Sequence, residues 1–286
     1  MNSVASQKKS VVRKAVIPIA GLGTRHFPAS HAVKKELFPV VGPDGIASAL
    51  FHYHLIEFDA AGIEEICIII QPGEDELVRA YLRGPDSNYL KRLEKHPVLL
   101  REAGQMRKFA GRVTFAVQHQ QEGYGHAVFK TKNFAGGEFV LLGLGNHLFR
   151  GRPISPYQEL AQMTAVSNGR NVSAVNRISA GELKGYGTIA GQRRAENPLL
   201  IDVSLIVEKP DAATARKKLR VDGLPDETWL GWFWNAPAVA FDLRNPRRND
   251  PQQHPRQRRI PAYPRTGDST PARRLSGAGN DHGGAF

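Results

Sequence analysis

The sequence predicts an α/β fold with a doubly wound, mostly parallel sheet, and three observations carry that expectation. Apolar runs of strand length, rich in branched residues, occur at 15–20, 63–70, 113–117 and 139–144. Helical stretches separate them, and strands alternating with helices argue for parallel pairing through crossover connections. Glycine-bearing loops follow the first and fourth runs, at the carboxyl ends of strands, where open α/β sheets bind their ligands.

Taken in order, the first run (15–20) is continuous, as a strand buried on both faces should be. It breaks into a loop carrying Gly21, Leu22, Gly23, Thr24 and Arg25. Gly42, Pro43, Asp44 and Gly45 mark a turn. Residues 46–61 then read as a helix ending at Gly62, with Leu50, His54 and Phe58 along one face. A second buried strand covers 63–70 and a helix 74–82. A polar helical stretch at 85–108 interrupts the alternation. The third strand is 113–117, followed by a helix at 125–134 and the fourth strand at 139–144. The second half is less regular. A helix is expected at 155–166 and a strand at 172–176. Gly185, Tyr186, Gly187, Thr188 and Ile189 read as a turn entering a hairpin, with 203–207 returning. Pro210 and Asp211 start a helix over 211–220. Trp232, Phe233 and Trp234 lead into a last apolar run at 236–241, and no internal repeat is present.

Composition bounds the reading further. With 286 residues, 41% of them apolar, the chain can bury one full core. Cys67 is the only cysteine. It lies inside the apolar run 66–70, so it cannot form an intrachain disulfide and reads as a buried, inert thiol. Residues 1–13 are polar and basic without an apolar core, which does not suit a secretory signal. No stretch approaches membrane-spanning length, so a cytoplasmic protein without membrane contact is expected. The net charge is +12, and nine arginines against four acidic residues give 242–286 alone +5. No recognition-helix pattern, zinc spacing or aromatic–basic interleaving specifies a nucleic-acid fold, so nucleic acid is not the expected partner.

The loop after the first strand is the most informative feature. Gly21 and Gly23 let the backbone approach a ligand and point several N–H groups at one spot, as polyphosphate cradles do. Arg25 adds a forked donor for phosphate oxygens, and a lysine from Lys34-Lys35 a mobile point charge. An ordinary strand-to-loop turn beside a solvated basic patch is the plain alternative. Gly-x-Gly alone would favour it; Arg25 and the downstream Lys35-Glu36 before Leu37-Phe38-Pro39 tip the reading to phosphate. The spacing does not fit a Walker A loop.

Gly21-Leu22-Gly23-Thr24-Arg25, then Pro28, then Lys35-Glu36-Leu37-Phe38-Pro39 resembles the signature of the sugar-phosphate nucleotidyltransferases. Lys35-Glu36 is more similar to the bacterial UTP–glucose-1-phosphate uridylyltransferase branch than to thymidylyl relatives, and so is an insertion at 85–108. The resemblance runs in patches from about Lys14 to about Phe241. It implies the nucleotide-diphospho-sugar transferase fold over 13–241, with 242–286 as an added tail. It also implies a reaction between UTP and glucose 1-phosphate giving UDP-glucose and pyrophosphate, with Mg²⁺ as cofactor. Arg25 and Lys35 would then be catalytic, neutralising the triphosphate that Gly21, Leu22, Gly23 and Thr24 cradle.

Two further segments fit this resemblance. Gln118 ends the third strand and Glu122-Gly123-Tyr124-Gly125-His126-Ala127 opens the next helix. An amide can pair with the donor and acceptor edge of a pyrimidine, and a bare glycine lets a base lie flat. The resemblance implies that Gln118 and Gly123 read uracil, with Tyr124 replacing the family's leucine. Glu208-Lys209-Pro210 ends an apolar run; a carboxylate there can accept bonds from two sugar hydroxyls and a lysine can meet a phosphate. The resemblance implies that Gly187, Glu208 and Lys209 hold the sugar phosphate.

The metal position departs from the family. Its fourth strand ends in an aspartate that holds Mg²⁺; here Leu142-Gly143-Leu144-Gly145-Asn146-His147 puts Asn146 at that place. An amide offers a neutral oxygen without the charge that favours Mg²⁺. The family's partner aspartate lies in an Asp-x-Gly-Asn segment that has no counterpart here, since Asn280-Asp281-His282-Gly283 runs in the wrong order. Residues 242–286, rich in Arg, Pro, Gln, Gly and Ser, read as disordered. A frameshifted or diverged gene end and a real basic tail are both open. Three function classes follow: a uridylyltransferase, a non-catalytic nucleotide-sugar binder, and a tail binding RNA non-specifically. Assembly into a homo-oligomer stays open.

Overall fold

Alternation of side chains along the central strands decides which helix packs on which face. The computed structural model describes residues 12–148, 153–167, 169–232 and 239–242. All of them lie in one unit, Met1–Asp250; a second, Pro251–Phe286, falls wholly outside the described residues. The expectations for 1–11, for Phe233 and Trp234, and for the tail after Asp242, Asn280 to Gly283 included, therefore lie outside them.

The strands are β1 (Lys14–Pro18), β2 (Pro39–Val41), β3 (Ala47–Ala49), β4 (Glu65–Ile70), β5 (Val113–Val117), β6 (Phe139–Leu142), β7 (Val172–Ser173), β8 (Asn176–Ser179), β9 (Gly187–Arg193), β10 (Ile201–Glu208), β11 (Thr228–Trp232) and β12 (Val239–Asp242). The main sheet has the order β5-β4-β1-β6-β12-β7. Its first four strands are parallel, with Val16 opposite both Cys67 and Leu142, and Ile68 opposite Phe115. β12 runs against both its neighbours.

The chain winds on both faces of this sheet. Ala15, Ile17, Ile19, Ile66, Ile68, Ile70 and Leu141 share one core with Phe51, Leu55, Phe58, Val78, Leu82, Phe109, Tyr157 and Leu160. Those partners come from the helices Leu50–Ala60, Asp75–Arg83, Pro97–Ala110 and Pro156–Ala165. Val16, Ala20, Cys67, Ile69, Val140 and Leu142 point the other way, to Ala127, Val128 and Ala135 of the short helices Tyr124–Phe129 and Lys132–Ala135. Burial pushes the Cys67 thiol up to about 11, as an inert cysteine requires.

Several elements differ from expectation: the helix expected at 125–134 is two short helices, and the strand expected at 172–176 is divided between β7 and β8. Residues 46–61 are not one helix: Ala47–Ala49 forms β3, and the helix begins at Leu50. The turn at Gly42–Gly45 closes a hairpin, with Gly45 at φ +80 and the Gly42 N–H donating to the Ile46 carbonyl, so β2 captures the segment. The stretch 85–108 contains two helices, Ser87–Arg92 and Pro97–Ala110. The second half builds a separate antiparallel sheet, β10-β9-β11-β8, around Ile178, Leu183, Ala190, Ala215, Leu219 and Trp229. One of its two edge strands is β10, where Val203, Leu205 and Ile206 are exposed rather than buried. The Trp232 indole N–H donates to Ser173 Oγ at 2.8 Å, tying β11 to β7 of the main sheet.

Strand order fixes where a ligand can sit. The chain steps from β1 out to β4 and β5, then returns to place β6 on the other side of β1. The crevice beyond the carboxyl ends of β1 and β6 is thus the topological switch point.

Under the end of β6 the packing leaves no slack. A Cβ on Gly143 would stand 2.5 Å from Tyr157 Oη and 2.9 Å from Phe58 Cζ. The Tyr157 hydroxyl is itself bonded to His54 Nδ1 at 2.7 Å, both buried. Gly143→Ala should therefore lower stability by about 1–3 kcal/mol, as overpacking does, read as a shift of the denaturation midpoint in urea. An unchanged midpoint would show that Tyr157 can yield.

Burial, and then the charge of His147, hold His54 down to about 4, while the nearby Leu144 and Gly145 backbone pulls weakly the other way. The folded state thus keeps this ring neutral and the unfolded state protonates it below its ordinary 6.5. Its contribution is fully present above pH 6.5 and is lost as pH falls towards about 4, amounting to about 3 kcal/mol. Urea midpoints across that window should fall less steeply in His54→Gln than in the parent chain. Parallel pH profiles would remove His54 as the titrating group.

Candidate functional site

The first strand delivers the glycine loop to the switch point. Ile19 still pairs with the main sheet, its N–H donating to the Ile69 carbonyl at 2.8 Å. The chain then leaves the core, with Gly21 and Leu22 exposed. Gly23 takes φ +67, a conformation that favours glycine, and starts the short 3₁₀ turn Thr24–His26. Ser30 Oγ donates to the Gly23 carbonyl at 2.9 Å and pins the loop. Arg25 is exposed and makes no ion pair among the described residues.

The two lysines part company. Lys34 Nζ donates to both carboxylate oxygens of Glu74 at 2.6 Å, so it serves to fasten the loop to the start of the helix Asp75–Arg83. Lys35 instead folds against the glycine loop: a Cβ on Gly21 would lie 3.4 Å from its Nζ, and one on Gly23 3.5 Å from its Cδ. Beside it Glu36 is 1% exposed, with Oε1 3.4 Å from Lys35 Nζ and Oε2 without a hydrogen-bond partner. Burial pushes the Glu36 carboxyl above its ordinary value, opposed by the charges of Lys35 and Lys34. A buried acid was not expected here, because charge ordinarily marks an exposed position.

Across the crevice the end of β6 runs close to β1. A Cβ on Gly145 would lie 2.6 Å from Ile19 Cγ2, 3.0 Å from Glu36 Cγ and 3.2 Å from the Pro18 carbonyl. Asn146 follows, exposed, its Oδ1 3.0 Å from His147 Nδ1. Burial, then the charges of Lys35 and Arg25, depress His147. His147 therefore belongs to this crevice. Only its adjacency to Asn146 could have signalled it in the sequence.

Gln118 approaches from β5. It is 4% exposed, and its Nε2 donates to the Gly123 carbonyl at 3.2 Å, so both expected base-reading residues meet. Gln121 Nε2 donates to the Ala20 carbonyl at 2.9 Å and ties this segment to the glycine loop. Gln121 was missed by sequence reading and carries no motif of its own. Gly123, at φ +99, caps the helix Tyr124–Phe129.

The remaining three expected residues gather on the antiparallel sheet. Gly187 opens β9 opposite Glu208, the last residue of β10. A Cβ on Gly187 would lie 3.1 Å from Glu208 Oε2 and 3.3 Å from the Trp232 carbonyl. Lys209 follows at φ +47, its N–H donating to the Tyr186 carbonyl at 3.1 Å. Glu208 and Lys209 therefore sit at the end of an antiparallel edge strand rather than at a parallel strand end, with Gly187 on the inner strand beside them. Gly187, Glu208 and Lys209 form one cluster, and Gly21, Gly23, Arg25, Lys35, Gln118 and Gly123 another around the switch point.

Among the described residues, those at the crevice do not fit the magnesium that the resemblance implied. Asn146 offers a neutral oxygen that already faces His147, and Glu36 is buried against Lys35. Among the described residues no group of three or more His, Cys, Asp or Glu could hold a metal ion. Hard dications take oxygen ligands, carboxylates above all, and the fixed charges nearest this crevice are positive.

Comparison with known proteins bears on the family and the fold. Residues 14–263 match the nucleotidyl transferase family. A UTP–glucose-1-phosphate uridylyltransferase of Bacillus subtilis is 30% identical over 214 residues, covering 74% of this chain and 68% of its own. One from Staphylococcus saprophyticus is 27% identical over 212 residues, covering 74% and 70%. Among solved structures, a UTP-bound UDP-glucose pyrophosphorylase of Acinetobacter baumannii superposes with TM-score 0.64 at 24% identity, covering 81% of this chain and 75% of that one. A UDP-glucose pyrophosphorylase complexed with UDP-glucose gives TM-score 0.60 at 20% identity, covering 81% and 76%. These two likenesses establish the fold. The family match spans most of the sequence, and the chain belongs to the nucleotidyl transferase family.

Proposed function

We propose that the chain binds UTP and glucose 1-phosphate and descends from enzymes that join them into UDP-glucose and pyrophosphate. The observation that carries this reading is the glycine loop at the switch point with Lys35 folded against it. The names of the sequence relatives supply the substrates. Residues 13–241 would form the domain responsible, with 242–286 as a tail outside the chemistry. A cytoplasmic setting is part of this proposal; no helix among the described residues is long and apolar enough to cross a membrane.

In the reaction an oxygen of the sugar phosphate attacks the α-phosphorus of UTP in line and pyrophosphate leaves with the electron pair of the broken P–O bond. No protein nucleophile is needed, so the chain contributes positioning and charge. Gly21, Leu22, Gly23 and Thr24 would offer backbone N–H groups to the triphosphate. Arg25 and Lys35 would neutralise it as charge moves onto the leaving pyrophosphate. Gln118 and Gly123 would select uracil. Glu208 would accept from sugar hydroxyls while Lys209 meets the sugar phosphate beside the bare backbone of Gly187.

A non-catalytic nucleotide-sugar binder is the second reading, favoured by one observation: the side chain exposed after the end of β6, where the resemblance implies a carboxylate, is the neutral amide of Asn146. Pyrophosphate release from UTP and glucose 1-phosphate separates the two. Turnover approaching ~10 s⁻¹, common among enzymes, would establish the first.

Calorimetry on the full chain tests the nucleotide assignment. UTP and UDP-glucose should bind more tightly than ATP, and Arg25→Ala should weaken UTP by about 1.5–3 kcal/mol, as expected for losing a charge-assisted bond. Equal affinity for ATP and UTP would sink the role given to Gln118.

A further inference from the structure

We infer that this chain takes its nucleotide as the metal-free polyphosphate, with Arg25 and Lys35 supplying the positive charge that a divalent cation would otherwise bring. The inference rests on the nucleotide reading above and concerns the ionic form of the ligand.

The geometry of the β6 end sets the terms. Gly143, Leu144 and Gly145 are buried, and Gly145 is pressed against Ile19, Glu36 and the Pro18 carbonyl. That contact fixes position 146 as the first in the segment whose side chain is exposed at the crevice. The side chain there is a neutral amide, with Oδ1 3.0 Å from His147 Nδ1. The one carboxylate that shares the contact, Glu36, is enclosed, with one oxygen 3.4 Å from Lys35 Nζ and the other shut off from solvent. Neither residue presents a hard anionic ligand to the crevice. Lys35 Nζ meanwhile lies along Gly21, and the charges of Lys35 and Arg25 both reach His147. Among the described residues the crevice is therefore cationic where a metal site would be anionic.

A cationic cradle and a metal compete for the same phosphate charge. Magnesium bound to a nucleoside triphosphate cancels two of its negative charges and holds a rigid octahedral shell of oxygens. The fixed guanidinium and ammonium then meet a less charged, bulkier ligand. Without the metal, each phosphate oxygen is open to the forked donors of Arg25, the point charge of Lys35 and the loop N–H groups. The free nucleotide should accordingly bind at least as well as its magnesium complex.

The experiment is calorimetric titration of the full chain with UTP, once in excess EDTA and once in excess magnesium chloride. The expected result is equal or tighter binding in EDTA. Lys35→Ala should weaken the metal-free titration by roughly tenfold, the size expected for one charge-assisted phosphate contact. Asn146→Asp should reverse the order, making the magnesium titration the tighter, because it adds the missing anionic ligand. Magnesium tightening the parent chain's binding by roughly threefold or more would overturn the inference while leaving the nucleotide reading intact. A folded chain that binds UTP in neither condition would overturn both.

Discussion

Close contact between the ends of β1 and β6 is the constraint on which the rest of the site depends. Gly145 lies against Ile19, Glu36 and the Pro18 carbonyl with no room for a side chain. Gly143 is similarly confined by Tyr157 and Phe58. Two parallel strands can be brought this near beyond their hydrogen-bonded ladder only where one of them carries no side chain. Once they are, the glycine loop after β1 and the Asn146 segment after β6 must flank one crevice. Helix packing from Leu50–Ala60 and Pro156–Ala165 then holds that arrangement from below, through the His54–Tyr157 bond.

Electrostatics inside the crevice follow from how charges are shared out. Lys34 is committed to Glu74 and anchors the loop, leaving Lys35 to face the glycines. Glu36 sits between the core and Lys35; enclosing a carboxylate is costly, and its partner lysine offsets part of that cost. The same pair orients the ammonium along Gly21 rather than towards solvent. A motif of three adjacent charged residues thus divides into a tether, a cation facing the glycine loop, and its support.

Much of the fold was legible in sequence because the relevant signals are local. Continuous branched runs announced β1, β4, β5 and β6, and Gly21–Arg25 with Lys35 announced the loop. The helix expected at 46–61 shows the limit of periodicity: apolar spacing across Ala47–Ala49 suits either state, and only pairing with Pro39–Val41 decides it. β8 and β11 carried little signal, since Asn176, Arg177 and Thr228 are ordinary surface residues until an antiparallel partner is known. Gln118, Gly123, Gly187 and Glu208 were singled out by motif, and the structure joins them in pairs. The separate fates of Lys34 and Lys35 depend on Glu74, forty positions along the chain. The part played by Gln121 depends on the Ala20 carbonyl, about a hundred positions away. Neither pairing leaves a local trace.

Exposure changes abruptly within two residues at the end of β6: Gly145 is enclosed, Asn146 is open. Selection for folding acts strongly on the first and hardly at all on the second. A lineage could exchange a carboxylate for an amide at that position without any loss of core packing. The scaffold would survive intact while its chemistry drifted. Foldability and metal dependence would in this way be inherited separately, the architecture of a family outlasting a change in its ionic requirements.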